Sequence, residues 1–254
     1  MLLALACAFQ VGTALIAPEQ PPRDTVAAPP AAAVYSGRLG QLNVAAIRHE
    51  RASVLLDGQL DDAICAQAAL LTGFSTYSPV DGRPAQDSTE VRLFYTAEAM
   101  YVSIRGWAPA GTVRATLAER DRISNDDWIA IHFDTFNDRQ RAFVFGVNAL
   151  GVQADGMRSE QSAGPGVSRA SLAAADLTQD FVWQSKGRLL DDGFAVEIRI
   201  PFKSVRFQMG APQDGGCRWC GRHNATATRS RGHPRHARGS RSVCKPATCA
   251  ACAT

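Results

Sequence analysis

The segment "DWIAIHFDTFNDRQRAFVFGVN", residues 127–148, contains two runs of alternating apolar and polar residues joined by a polar turn. Successive side chains of a β-strand point to opposite faces of its sheet, so a period of two indicates strands with one buried face. The intervening "NDRQ" is rich in residues that favour turns. The segment therefore predicts a β-hairpin whose buried residues are Ile129, Ile131, Phe133, Phe143, Phe145 and Val147.

Similar strand patterns recur on both sides of this hairpin, and no long stretch has the period of an amphipathic helix. One short helical turn is expected within Asp57–Leu70, after an Asp-Gly turn. About eight to nine strands at such short spacing predict an all-β chain, an antiparallel β-sandwich over residues 36–213. The other strand-like segments are Gly40–Arg48, Ala52–Leu56, Thr89–Thr96, Ala99–Trp107, Phe181–Leu190 and Phe194–Ile200.

The N-terminus is an uncharged apolar run of 17 residues, "MLLALACAFQVGTALIA", followed by a stretch rich in Pro and Ala. This order predicts a secretory signal peptide at residues 1–17, without its usual basic start, and a linker at residues 18–35. We therefore expect an exported protein, in the periplasm or associated with the outer membrane. The alternative is a transmembrane anchor, for which the run is slightly short.

Basic residues are concentrated near the C-terminus. The net charge is +3, but residues 214–254 contain eight Lys or Arg residues and a single acid, Asp214. The first 213 residues carry 19 basic and 23 acidic residues, so the body of the chain is mildly acidic. Binding to nucleic acid phosphates requires a basic surface. We therefore expect no nucleic acid partner.

The C-terminal segment, residues 214–254, lacks Leu, Ile, Phe, Met and Tyr, and it holds five of the seven cysteines. Such a composition cannot form a hydrophobic core. Its abundance of Arg, Ala, Gly and Cys is typical of GC-rich DNA read out of frame. The alternatives are a disordered basic tail and a zinc site formed by the C-x-x-C pairs Cys217/Cys220 and Cys249/Cys252. We expect the segment to be disordered or out of frame, which leaves the encoded protein truncated or frameshifted after about residue 213.

Four segments of the body, in order, resemble the family 9 carbohydrate-binding module-like domains. They are "LDGQLDDAI", "STEVRLFYTAEAMYVSIRG", "NDDWIAIHFDTFNDRQRAFVFGVNALGVQADG" and "DDGFAVEIRIPFKSVRF". The resemblance spans about Val44–Phe207 and is closest to the N-terminal domain of large bacterial outer-membrane-associated proteins of unknown function. Two features depart from the family: Cys65 stands where a tryptophan is usual, and the family pattern stops near Gln213.

This resemblance implies an immunoglobulin-like β-sandwich that binds a glycan or oligosaccharide without catalysing a reaction. It also implies a missing downstream domain, either an outer-membrane β-barrel or a glycoside hydrolase. The body has none of the G-x-S-x-G, HExxH or phosphate-loop motifs of common enzyme classes. The working hypothesis is a noncatalytic carbohydrate-binding module linked to polysaccharide catabolism. The alternative is a structural periplasmic domain of an outer-membrane protein with no sugar binding.

Sugar-binding modules stack apolar sugar faces on aromatic rings and hydrogen-bond the hydroxyls with polar side chains. Trp107 ends one predicted strand, and Trp128 points away from the Ile129 face of another. Core packing is the alternative for both rings, and Trp183 is expected in the core. The predicted carbohydrate-binding residues are Trp107, Trp128, Arg105, Asp126 and Asp127.

Oxygen-bearing side chains cluster in sequence around the hairpin: Asp134, Asp138, Asn148 and Asp155. Asn and Asp favour turns because their side chains hydrogen-bond nearby backbone, and this explains most of the cluster. Several carboxylate oxygens near one turn could alternatively hold a structural Ca²⁺. No other cofactor is expected.

Overall fold

The computed structural model describes residues 32–41, 43–78, 88–136, 138, 140–159, 172–206, 213–223 and 241–252. The chain divides into two compact units, Met1–Pro30 and Ala31–Thr254, and the first of them lies outside the described residues. The signal peptide at residues 1–17 therefore stays a prediction. None of the helices in the described part of the chain is long and apolar enough to cross a membrane.

The described residues form β-strands and short 3-10 turns, and no α-helix occurs among them. The 3-10 turns are Gly37–Leu39, Ala63–Gln67, Leu172–Ala174 and Phe202–Ser204. The strands are β1 (Val34–Ser36), β2 (Asn43–Val44), β3 (Ile47–Arg48), β4 (Ala69–Thr72), β5 (Thr76–Ser78), β6 (Thr89–Tyr95), β7 (Ala99–Trp107), β8 (Trp128–Asp134), β9 (Arg141–Asn148), β10 (Gln153–Ser159), β11 (Gln184–Leu190), β12 (Gly193–Pro201), β13 (Gln213–His223) and β14 (Arg241–Cys252).

These strands assemble into two sheets. Sheet A has the order β1-β4-β6-β7-β12-β11, with β3 also paired to β6. Sheet B has the order β10-β9-β8-β13-β14-β2, with β5 also paired to β14. The long strands pair antiparallel, whereas the pairs β1–β4, β3–β6 and β14–β2 are parallel. The predicted all-β sandwich is confirmed, and the parallel pairs all involve short N-terminal strands.

The hydrophobic core is formed by one face of each sheet. Sheet A contributes alternate residues of β6, β7 and β12, and sheet B contributes those of β8 and β9. Ile131, Phe133 and Phe145 have no exposed surface. Burying each such side chain contributes about 1.5–3 kcal/mol. The buried face predicted for the β8–β9 hairpin is thus confirmed.

The outer face of sheet A is partly covered by residues 50–67, called here the cover segment. Phe94 and Tyr101 stack on this face with ring centroids 4.9 Å apart. Val54 and Ile64 of the cover segment pack against the pair. The predicted strand at Ala52–Leu56 is absent, because this part of the cover segment lies on the face of the sheet and pairs with no strand edge.

The outer face of sheet B carries a second, smaller apolar cluster. Trp128 and Val144 of the sheet pack there with Ile123 and Leu172, which belong to the connections that precede β8 and follow β10. Ile123 is fully buried. The long connection between β7 and β8 therefore folds back over the sheet.

The C-terminal segment differs from the expected disorder, because it contains strands β13 and β14. β13 runs antiparallel to β8, and β14 runs antiparallel to β13. Without β13, β8 would present one edge of unpaired N–H and C=O groups. Strand pairing satisfies these groups through the backbone alone, so a segment poor in large apolar residues can still add to the sheet. The out-of-frame origin of the segment stays a prediction.

The predicted linker at residues 18–35 also ends earlier than expected. Val34, Tyr35 and Ser36 form β1, which pairs in parallel with Leu70–Thr72 of β4. Most of the linker, like the signal peptide, lies outside the described residues.

Candidate functional site

The structure brings Trp107 and Arg105 together at the end of β7. The guanidinium carbon of Arg105 lies 4.8 Å from the centroid of the Trp107 ring. The guanidinium also donates hydrogen bonds to the carbonyl oxygens of Gly106 (2.6 Å) and Phe194 (3.1 Å), and it is ion-paired with Asp192. A cation over an aromatic face is attractive, so these contacts hold the half-buried ring in place.

Two further polar side chains lie on the same outer face of sheet A, on the neighbouring strand β6. Glu90 is directly opposite Arg105 in the strand register, and Arg92 follows two residues later. Arg92 is ion-paired with Glu90 at 3.2 Å, and their side chains are 27% and 28% exposed. We call the group of Trp107, Arg105, Glu90 and Arg92 the outer platform. The sequence did not single out Glu90 or Arg92, because only the β6–β7 register places them beside Arg105.

Trp128, the second predicted sugar contact, does not belong to this surface. Its side chain is 5% exposed and packs in the cluster on the outer face of sheet B. A ring buried to this degree has no free face for a sugar. The structure thus contradicts a contact role for Trp128, and the physical reason is that the β7–β8 connection covers it. Trp183 is buried in the main core, as expected.

Asp126 and Asp127 are also buried, at 2% and 3% exposure, and they organise the β7–β8 connection. Asp126 accepts hydrogen bonds from the Thr116 backbone N–H (3.0 Å), the Thr116 hydroxyl (2.9 Å) and the Asn148 amide (2.8 Å). Asp127 accepts one from the Arg114 N–H at 2.9 Å. These carboxylates face inward, so the prediction that they contact a sugar is wrong for this structure.

The four residues considered for calcium do not converge. Asp138 accepts hydrogen bonds from the N–H groups of Gln140 and Arg141, and Asp134 accepts one from the N–H of Phe136, so both shape the β8–β9 turn. Asn148 lies at the other end of the hairpin, where it pairs with Trp128. The six-residue span of β8 separates these ends by roughly 20 Å. One cation cannot bridge that distance.

Asp155, the fourth calcium candidate, has its own partners. It is fully buried, ion-paired with Arg120, and accepts a hydrogen bond from the Phe181 N–H at 2.6 Å. Its charge is therefore compensated by the Arg120 guanidinium. Across the part of the chain that the structure describes, no group of three or more His, Cys, Asp or Glu residues is arranged to hold a metal ion.

Glu197 of β12 is a buried acid that sequence reasoning missed. It is 1% exposed, and its Oε2 accepts hydrogen bonds from the backbone N–H groups of Asp57 (3.0 Å) and Gly58 (2.9 Å). Burial raises the pKa of Glu197 to about 7, and the neighbouring Asp62 and Asp57 carboxylates add to the effect. The available signal was an acid within the apolar strand pattern "FAVEIRI".

Cys65 stands beside this acid, at the position where the family pattern has a tryptophan. Its sulfur lies 3.5 Å from the Ser103 hydroxyl oxygen, and burial raises the pKa of its thiol. The C-x-x-C pairs Cys217/Cys220 and Cys249/Cys252 lie within the continuous strands β13 and β14.

No protein-family model matches the chain, and neither does any curated protein sequence. Solved structures do resemble it. A family 9 carbohydrate-binding module from Caldicellulosiruptor kristjanssonii in complex with cellotriose is 19% identical over 78% of this chain and 82% of that chain, with a TM-score of 0.48. The same type of module in complex with glucose is 18% identical over 78% and 84%, with a TM-score of 0.49.

A third similar structure is a candidate carbohydrate-binding protein from Bacteroides uniformis. It is 11% identical, covers 81% of this chain and 89% of that chain, and has a TM-score of 0.52. At this level of identity the likeness shows a shared fold. The two-sheet arrangement of this chain is therefore one that occurs in an experimentally solved protein.

Proposed function

We propose that this chain is a noncatalytic module that binds a saccharide on the outer platform. The observation that carries the proposal is the Trp107–Arg105 pair, an aromatic ring held by a guanidinium on a sheet face beside further polar side chains. An apolar sugar face can stack on such a ring while hydroxyls exchange hydrogen bonds with Glu90 and Arg92. The fold shared with the Bacteroides uniformis protein supports the proposal.

The charges of the platform favour an uncharged saccharide. Arg92 is paired with Glu90, and Arg105 is paired with Asp192, so neither guanidinium offers an unmatched positive charge. An anionic sugar would have to displace one of these carboxylates and lose the ion pair. Neutral hydroxyls can hydrogen-bond to the exposed atoms of these ion pairs without displacing a carboxylate.

The test is a calorimetric titration of the full chain with neutral mono- and oligosaccharides, with and without Ca²⁺. Trp107→Ala should weaken saturable binding tenfold or more, which corresponds to about 1.4 kcal/mol. The matched control is Phe136→Ala, because Phe136 also lies under a guanidinium, that of Arg141 at 4.4 Å, but away from the platform. Binding lost only in the Phe136 variant would place the sugar elsewhere.

The main alternative is a structural domain of the cell envelope without a sugar site. It is favoured by one observation, that the Arg105 guanidinium already binds Gly106, Phe194 and Asp192. Absence of heat with every sugar would support this alternative. Release of reducing ends from a polysaccharide by the purified chain would instead indicate a glycoside hydrolase.

The proposed setting is the bacterial periplasm or outer membrane, as part of a larger protein that degrades or handles polysaccharides. The apolar run at residues 1–17 supports export, and the four family-like segments support the modular role. Fractionation of cells expressing the tagged full-length gene would test the location. Recovery in the cytoplasm would contradict it.

A further inference from the structure

A buried acid, Glu197, lies under the cover segment and not at the outer platform. Glu197 projects from the outer face of β12, where its Oε2 binds the N–H groups of Asp57 and Gly58. Its other oxygen, Oε1, is buried and has no hydrogen-bond partner among the described residues. A buried ionised carboxylate with an unsatisfied oxygen is costly, whereas a protonated one removes most of the cost.

The surroundings of Glu197 add negative rather than positive charge. Asp62 of the cover segment also has a buried oxygen, Oδ2, without a partner among the described residues. The Asp57 and Asp62 carboxylates both disfavour the ionised form of Glu197. Apolar and hydroxyl groups enclose the acid: Val54, Leu56, Phe94, Tyr101, Ser103 and Ile198.

Four cationic residues lie on the outer face of sheet A around Glu197. Lys186 of β11 is opposite Glu197 in the register, and Arg199 lies two residues along β12, where its guanidinium bonds the Tyr101 hydroxyl at 3.1 Å. Arg188 of β11 favours the charged form of Asp57, and Arg92 of β6 that of Cys65. None of these cations forms an ion pair with Glu197 in the described part of the chain, so the two backbone N–H groups that favour its charged form are opposed by burial and by the Asp57 and Asp62 charges.

We propose that Glu197 is a proton-operated latch that holds the cover segment on sheet A while its carboxyl is protonated and loosens it when the proton is lost. Among the described residues, the hydrogen bonds that join Glu197 to the cover segment are the two from the N–H groups of the Asp57–Gly58 turn. Lifting this turn hydrates the carboxylate and separates it from Asp57 and Asp62. The lifted cover would also uncover the stacked Phe94–Tyr101 pair.

The sign of the pH dependence follows from the two states of the cover. The pKa of Glu197 is about 7 with the cover closed and returns towards 4.5 when water reaches the acid. The closed state therefore holds an extra proton between these values. The opening constant rises by about five- to sevenfold per pH unit between pH 5 and 7 and levels off above about 7. The cover segment should therefore open rarely in acid and more often at neutral pH.

The experiment is hydrogen exchange of the full chain, followed by mass spectrometry at pH 5, 6, 7 and 8, with each rate divided by its intrinsic value. The peptide spanning residues 50–67 should show opening that increases about 40-fold from pH 5 to 7 and only about twofold more by pH 8. Glu197→Gln, which keeps an acceptor oxygen but cannot ionise, should abolish the dependence. Glu98→Gln is the control, because Glu98 is 84% exposed.

Two results would overturn the latch. One is the same pH dependence in Glu197→Gln as in the unmodified chain. The other is an equal change in the peptide from β9, residues 141–148, because that would mean a change of global stability and not a local opening. If Glu197→Gln does not fold, Asp62→Asn tests the same idea: removing this negative charge should shift the plateau to lower pH, and an unshifted plateau contradicts the proposal.

Discussion

The Asn148 side-chain amide donates a hydrogen bond of 2.8 Å to the Asp126 carboxylate and a second, also of 2.8 Å, to the Thr116 carbonyl oxygen. These bonds join the end of β9 to the middle and to the end of the β7–β8 connection, which covers part of the outer face of sheet B. Asp126 in turn accepts the Thr116 N–H and hydroxyl. The Asp126 carboxylate therefore helps to determine how this connection folds back.

Asp126→Ala should lower the free energy of unfolding by about 2–3 kcal/mol, because it leaves the Thr116 N–H and one N–H of the Asn148 amide buried without an acceptor. Urea denaturation followed by fluorescence measures the change. Asp61→Ala is the control, since Asp61 is exposed, and should change stability by at most about 0.5 kcal/mol. Equal stability of both variants would show that the Asp126 network is not formed in solution.

Replacement of the two tryptophans should separate packing from binding. Trp128→Ala removes a ring that is 5% exposed and should cost about 3–5 kcal/mol of stability. Trp107→Ala removes a half-buried ring and should cost clearly less while weakening sugar binding. Urea midpoints and calorimetric titrations of the same two proteins provide the comparison. A larger loss of stability for the Trp107 variant would contradict the burial seen here.

The sequence pattern predicted the inner faces of the strands better than their outer faces. Ile131 and Phe145 alternate with polar neighbours, and alternation is a local property that identifies the buried face directly. Trp128 was misjudged because its burial depends on Ile123 and Leu172, which reach it from connections distant in sequence. Its local alternation is the same whether or not a loop covers it.

The candidate site, like the outer faces of the strands, could be predicted only in part from local sequence. Trp107 and Arg105 are two residues apart on one strand, so their common face follows from the sequence alone. Glu90 joins them only through the β6–β7 register, and Glu197 is buried only because the cover segment reaches it from about 140 positions away. Pairing of distant segments fixes such neighbours, and no local pattern contains that information.

Ca²⁺ should leave the thermal stability of the protein unchanged. Asp134 and Asp138 lie at one end of the β8–β9 hairpin and Asn148 at the other, while Asp155 is ion-paired with Arg120. The melting temperature measured with EDTA and then with excess Ca²⁺ is therefore expected to be the same. A rise of several degrees on adding Ca²⁺ would reveal a site that these four residues do not form.

Stability should decrease as the pH rises from about 5 to 7, and Glu197 should cause part of that decrease. The folded chain keeps a proton on this carboxyl up to a pKa of about 7, whereas the unfolded chain loses it near 4.5. The contribution is thus fully present below about 4.5 and is lost as the pH passes about 7. Between these values the slope is at most about −1.4 kcal/mol per pH unit.

Urea denaturation at each pH, compared between the unmodified chain and Glu197→Gln, isolates this contribution because all other titrating groups are shared. The difference in unfolding free energy between the two proteins should therefore vary with pH between 5 and 7 and be constant above about 7. A difference that is independent of pH across this range would mean that Glu197 has an ordinary pKa in the folded protein.

Gly187 allows the edge strand of sheet A to approach the β9–β10 turn of sheet B. A Cβ atom at this position would lie 2.6 Å from the Ala149 carbonyl oxygen, which belongs to the backbone and cannot turn aside. The Ser185 hydroxyl donates a hydrogen bond to the Gly151 carbonyl oxygen at 2.8 Å, so the two segments are also joined by a polar contact. Gly187→Ala should push them apart and cost about 1–3 kcal/mol.

Urea denaturation of Gly187→Ala beside Arg188→Ala tests this close approach. Arg188 is the next residue on the same strand and is exposed, so its truncation should change stability by no more than about 0.5 kcal/mol. The alanine at position 187 should also speed hydrogen exchange in the turn at residues 149–152, because that turn must move to accept the methyl group. Unchanged stability and exchange would show that β11 lies farther from sheet B in solution than in this structure.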